Sequence, residues 1–322
     1  MDLDTIVAKG LSDWVGGKPD DSSPGAPPRA ATVTMCMRSK GLAMSHDSSP
    51  AGLSSWGYPY ERVFVIAGPC SAESPEQVQR TARAIARAGV HLLRSGVWKP
   101  RTRPGGFEGV GEKALGWVKD AGRAAGLPVA VEVASPTHLE ACLRHGIDAV
   151  WIGARSTVSP FVVQDLADAL RGTAMPVFVK NPICLDLNLW IGAIERLLRA
   201  GVQRIAAIHR GFSTSSPSRY RYRPHWEIAH KLKEAFPSLP MLCDPSHICG
   251  RKELIHEVSA QALRSGYDGL MIEAHASPAR ALSDARQQLT PAELAALLRR
   301  VRADAAEATD LTEVALCKRS SC

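Results

Sequence analysis

Between Arg62 and Arg302, eight short apolar runs alternate with helix-length amphipathic segments, and few folds can accommodate that pattern. The runs are 63–68, 91–96, 129–134, 149–154, 177–180, 204–209, 241–244 and 269–274. Most are apolar at successive positions, as parallel strands covered on both faces must be. The segments between them, 75–88, 111–125, 137–145, 160–171, 187–200, 225–235 and 251–265, have the length and mixed polarity of surface helices. A last helix is expected at 291–304, with Thr290 as N-cap and Pro291 in its first turn. The repeat predicts an α/β protein, a (β/α)8 TIM barrel, with a doubly wound open sheet as the structural alternative. Residues 1–60, rich in Ser, Pro and Gly, are expected to form a flexible N-terminal extension. Residues 61–304 would form the barrel and 305–322 a C-terminal tail. Met35, Met37 and Met44 leave open a later translation start.

Composition narrows the partners. The chain carries a net charge of +7. Its cations are spread along the chain without interleaved aromatics, which favours a small anionic substrate over nucleic acid. Its eight cysteines form no CxxC pair and mostly sit in apolar runs. Reduced thiols in a cytoplasmic protein are therefore expected rather than a disulfide scaffold. No apolar run is long enough to span a bilayer, and no secretory signal is seen at the N-terminus.

A barrel of this kind builds its active site at the C-terminal ends of the strands. Cys70 follows the first run, His247 the seventh, Glu273 ends the eighth, and Asp284 lies in the loop beyond it. The first, seventh and eighth strands are neighbours once the barrel closes. A thiol, an imidazole and two carboxylates there would suit a divalent metal, Mn, Fe, Co or Zn, without choosing among them. Cations occupy the other arc. Arg94, Lys99 and Arg101 lie on or after the second run, Arg155 follows the fourth, Lys180 ends the fifth, and His209 and Arg210 end the sixth. A cation at a buried strand end is expensive unless it meets a charge, so this ring suggests two phosphates, or a phosphate and a carboxylate. A Schiff-base role for Lys180 and an acid/base pair of Glu132 and Glu273 are weaker readings. Arg103 has no assigned partner and is expected in solvent.

Ala-Gly-Pro-Cys-Ser (67–71), Lys-Pro-Arg-Thr (99–102), Ile-Gly-Ala-Arg (152–155), Val-Lys-Asn-Pro (179–182), His-Arg-Gly-Phe (209–212), Cys-Asp-Pro-Ser-His (243–247) and the segment 269–288 occur in this order. Together they resemble 3-deoxy-D-arabino-heptulosonate 7-phosphate (DAHP) synthase of the type I-beta group, close to versions fused to chorismate mutase. The resemblance implies a metal-dependent condensation of phosphoenolpyruvate with erythrose 4-phosphate, the first step of the shikimate pathway. It implies that Cys70, His247, Glu273 and Asp284 hold the metal. It implies that Arg94, Lys99, Arg155, Lys180 and Arg210 bind phosphoenolpyruvate, and that Arg101 and Thr102 hold the sugar phosphate. Lys99 is the candidate proton donor, with His247 or metal-bound water as rivals. The sister family, 3-deoxy-8-phosphooctulonate (KDO8P) synthase, typically has Lys-Ala-Asn-Arg where this chain has Lys-Pro-Arg-Thr. A non-catalytic phosphate-sensing barrel is a further alternative. No chorismate mutase helices follow residue 303, so a separate chorismate mutase is left open as a partner. Family likeness also implies a homodimer or homotetramer.

Overall fold

The computed structural model describes residues 49–304 except Pro100 and Thr102. Eight parallel strands close into one barrel in sequence order: β1 (Phe64–Gly68), β2 (Leu92–Ser95), β3 (Val129–Val133), β4 (Ala149–Ile152), β5 (Val177–Lys180), β6 (Ile205–His209), β7 (Met241–Cys243) and β8 (Gly269–Glu273). β8 pairs with β1 from Phe64↔Gly269 to Gly68↔Glu273, so the first and last strands finish level. The (β/α)8 expectation holds, and the open-sheet alternative falls with this closure.

The crossovers are α1 (Pro75–Ala86), α2 (Lys113–Ala125), α3 (Pro136–Arg144), α4 (Pro160–Leu170), α5 (Leu187–Arg199), α6 (Trp226–Ala235), the short α7 (Pro245–Cys249), α8 (Ile255–Arg264) and α9 (291–304). A cap residue followed by proline starts several of them. Ser74, Ser135 and Ser159 each accept a backbone N–H of the first turn, and Asp244 does so for α7. At α9, Thr290 accepts from Glu293 N at 3.2 Å, while Glu293 accepts from Thr290 N at 2.8 Å, a capping box.

Strand parity divides the core in two. Val65, Leu93, Val131, Val150 and Val179 face outward against the helices. Ile66, Leu92, Ala130, Trp151, Phe178 and Ile208 fill the barrel interior. Leu53 and Trp56 join that inner layer, with Trp56 5.4 Å from the Phe178 ring. The boundary expected at residue 61 thus falls inside a stretch that the barrel partly buries. The earlier residues of that extension and the tail 305–322 lie outside the described residues.

Candidate active site at the barrel mouth

The inward positions of the strands lead straight to the polar residues. Leu92 faces inward and Arg94 follows it; Phe178 does so before Lys180, Ala130 before Glu132, Leu242 before Asp244, and Met271 before Glu273. The last inward layer is therefore charged, and a cavity of about 190 Å³ lies above it. Its walls include Lys99, Arg101, Glu132, Arg155, Lys180, Arg210, Arg221, Tyr222, His247 and Asp284.

One side of the mouth gathers potential metal ligands. One atom each from Cys70, Glu273 and Asp284 lie within 4.8 Å of one another. His247 Nε2 stands 3.8 Å from Glu273 Oε1, while its Nδ1 lies 2.8 Å from Asp244 Oδ2. Burial outweighs the neighbouring carboxylates and lowers the His247 pKa, which favours the neutral, ligating form. Burial also pushes the Cys70 thiol up to about 12, with Glu273 adding to it. Burial would raise Asp284, but His247 and Arg221 outweigh it and hold the carboxyl down to about 2. Glu273 is likewise lowered, because His247 and Arg94 outweigh its burial. Two ionised carboxylates at this spacing repel each other, and a divalent cation would relieve that and favour the thiolate over the buried thiol. The mixed sulfur, nitrogen and oxygen donors fit such an ion.

Asp284 reaches the cluster through a left-handed backbone with φ 47°, a conformation Asp tolerates better than most residues. Gly153 serves the same layer, since a Cβ there would run into the Glu132 carboxylate.

Cations form the other side. Lys99 Nζ donates to Cys70 O at 3.0 Å and to Cys70 Sγ at 3.1 Å. Burial would lower its pKa, but Cys70 and Glu132 outweigh that and raise it, so the ammonium stays charged. Lys180 Nζ donates to the buried Asp244 at 2.7 Å. This is a charge pair, as weighed against the Schiff-base reading. Asp244 is held well below the usual carboxylate range, because His247 and Lys180 outweigh its burial. Arg210 lies 3.6 Å over the Tyr222 ring, and Arg221 lies near the same ring at 5.4 Å. Arg101 lines the cavity and donates to Phe107 O at 2.7 Å. Arg103 is exposed and absent from the walls. Thr102 lies outside the described residues.

Two of the expected substrate-binding residues lie off the cavity wall. Arg94 is not a wall residue: it is buried beneath the mouth, donating to Glu273 at 3.1 Å and to Cys70 O at 3.1 Å. His209, expected to bind substrate, faces away from the cavity. It is fully buried between Pro224 O at 2.5 Å and Tyr267 OH at 2.9 Å, with Trp226 edge-on at 5.1 Å. The reason is parity, because Ile208 points into the barrel and the next residue must point out. Arg221, Tyr222, Asp244 and Gln287 were missed. The first two lie in a long loop without periodicity, and only the Asp-Pro cap signature pointed toward Asp244.

The model of the family described as DAHP synthetase I matches residues 59–309. A curated relative, the phospho-2-dehydro-3-deoxyheptonate aldolase of Thermotoga maritima, is 32% identical over 225 residues, 70% of this chain and 64% of the relative. The match thus spans less than two thirds of that relative's length. The 2-dehydro-3-deoxyphosphooctonate aldolase of Nitratidesulfovibrio vulgaris is 26% identical over 266 residues, covering 75% of this chain and 92% of the relative. A solved DAHP synthase structure from Thermotoga maritima superposes with a TM-score of 0.68 at 29% identity, covering 74% of this chain and 68% of that one. A truncated form of the Thermotoga maritima synthase gives 0.65 at 27%, covering 74% and 85%.

Proposed function

This chain belongs to the DAHP synthetase I family, and from that premise we propose that it condenses phosphoenolpyruvate with D-erythrose 4-phosphate and water to give DAHP and inorganic phosphate. The observation that carries the reading is the two-sided mouth: a thiol–carboxylate cluster faces a wall of cations across one small cavity. Cys70, His247, Glu273 and Asp284 would hold a divalent metal, one of Mn, Fe, Co or Zn. When bound, it supplies Lewis acidity toward the aldehyde oxygen.

The remaining work falls to side chains. Lys180, Arg155 and Arg210 bind the phosphate and carboxylate of phosphoenolpyruvate, and Arg101 with Thr102 holds the sugar phosphate. Fixed cations offset the mutual repulsion of two anionic substrates and keep carbon 3 of the enol against the aldehyde carbon. A carbon–carbon bond forms there, water adds at carbon 2, and the carbon–oxygen bond to phosphate breaks. Lys99, charged and beside Cys70, is the proton donor in this reading. Arg94 acts from below by keeping Glu273 ionised.

The reading extends by family likeness to a homodimer or homotetramer and, from the unpaired cysteine pattern, to the cytoplasm, with a separate chorismate mutase left open as a partner. Among the described residues, no helix is long and apolar enough to cross a membrane. The decisive assay offers phosphoenolpyruvate with erythrose 4-phosphate or arabinose 5-phosphate in parallel. Phosphate release is expected only with the four-carbon sugar and only with a divalent metal. Consumption of arabinose 5-phosphate instead would assign the KDO8P reaction. Phosphoenolpyruvate binding without turnover would leave a sensing barrel.

A further inference from the structure

The loop after β8 does more than deliver Asp284. Gln287 is 1% exposed, and both ends of its amide are engaged. Its Nε2 donates to Glu273 Oε2 at 2.7 Å, and its Oε1 accepts from Arg221 at 2.9 Å. The same Arg221 nitrogen donates to Asp284 Oδ1 at 3.1 Å. Glu273, Gln287, Arg221 and Asp284 thus form a continuous bridge between the two carboxylates. Each carboxylate has one oxygen tied by the bridge. The other oxygen faces the cluster: Asp284 Oδ2 is 3.6 Å from Cys70 Sγ, and Glu273 Oε1, which also accepts from Arg94 at 3.1 Å and keeps a second lone pair, is 3.8 Å from His247 Nε2. The amide orientation is forced, because an ionised carboxylate only accepts and a guanidinium only donates.

Arg221 has a second connection. Its side chain is 40% exposed, and it forms part of the cavity wall beside Tyr222. A guanidinium has five N–H donors, and one nitrogen serves both Asp284 and Gln287, so donors remain for an anion in the cavity.

We propose that Arg221 and Gln287 are positioning residues that turn one oxygen of each carboxylate toward a shared divalent metal, and that Arg221 couples this ligand set to occupancy of the anion cavity. The proposal rests on the metal reading above. Carboxylates fixed beforehand lose less freedom when the metal binds, which tightens binding. Because Arg221 touches both sites, whatever the anion adds to metal binding the metal adds to anion binding, to the same degree.

The test is a Co(II) titration of the full chain, read by the thiolate-to-cobalt absorbance, with and without phosphoenolpyruvate. Wild type is expected to bind Co(II) more tightly when phosphoenolpyruvate is present. Gln287→Leu should weaken Co(II) binding by roughly ten- to a hundredfold. Arg221→Met should weaken it too and lose the phosphoenolpyruvate effect. Because Gln287 is buried, circular dichroism checks folding, and the exposed Arg221 variant keeps the test valid if the other fails to fold. Wild-type affinity in both variants overturns the bridge alone. A phosphoenolpyruvate effect retained in Arg221→Met overturns the coupling. A wild type with no cobalt band overturns the metal reading, and this inference with it.

Discussion

Single residues at the mouth are set by what they touch. Cys70 is fully buried and its thiol is pushed up to about 12, so without a cation it stays protonated. Cys70→Ala is expected to abolish metal-dependent turnover and to lower metal content after dialysis; full activity in that variant would sink the ligand assignment. His209 gives a different prediction. Burial lowers its pKa from 6.5 to about 4. The folded value lies below the unfolded one, so the unfolded chain binds more protons between them. Stability contributed by the neutral ring is therefore lost as pH falls from 6.5 toward 4, by up to about 3 kcal/mol. In His209→Gln, the fall in thermal midpoint between about pH 7 and pH 5 should be shallower than in wild type. Parallel slopes would remove His209 as the cause. Sequence alone does not fix the direction of this residue, for a physical reason. Ile-Ala-Ala-Ile-His is apolar on both faces, so no alternation tells which way the histidine points.

At the scale of elements, the strand positions were legible to within one or two residues, because buried parallel strands leave dense apolar runs. The short α7 was not, since Pro245–Cys249 is too brief to show a helical period. Yet α7 places His247. Asp244 caps it by accepting from His247 N at 3.0 Å and also meets Lys180 at 2.7 Å, so one carboxylate joins strand, helix and cation. Asp244→Asn would leave Lys180 buried without a counter-charge. We expect a loss of roughly 3–5 kcal/mol in denaturant unfolding, well beyond that of an ordinary cap. A loss under about 1 kcal/mol would mean that Lys180 finds another partner or reaches solvent.

For the whole molecule, the two ends of the barrel have separate tasks. The end opposite the mouth is closed by Trp56 against Phe178, within the inner apolar layer. Trp56→Ala should cost about 3–5 kcal/mol of stability while leaving kcat unchanged in the folded protein. A matching fall in kcat would show that the two ends are coupled. The sequence by itself determined the strand–helix repeat, the barrel class and which residue types stand at strand ends, because hydrophobic period and cap chemistry are local properties. It also placed Cys70, His247, Glu273 and Asp284 at one mouth, since ring closure makes the first and last strands neighbours. Only the tertiary structure decided that Arg94 lies beneath the site, that His209 faces outward, and that Arg221 and Gln287 bridge two carboxylates. Those facts depend on side-chain direction and on contacts between segments far apart in the chain, which no local pattern encodes.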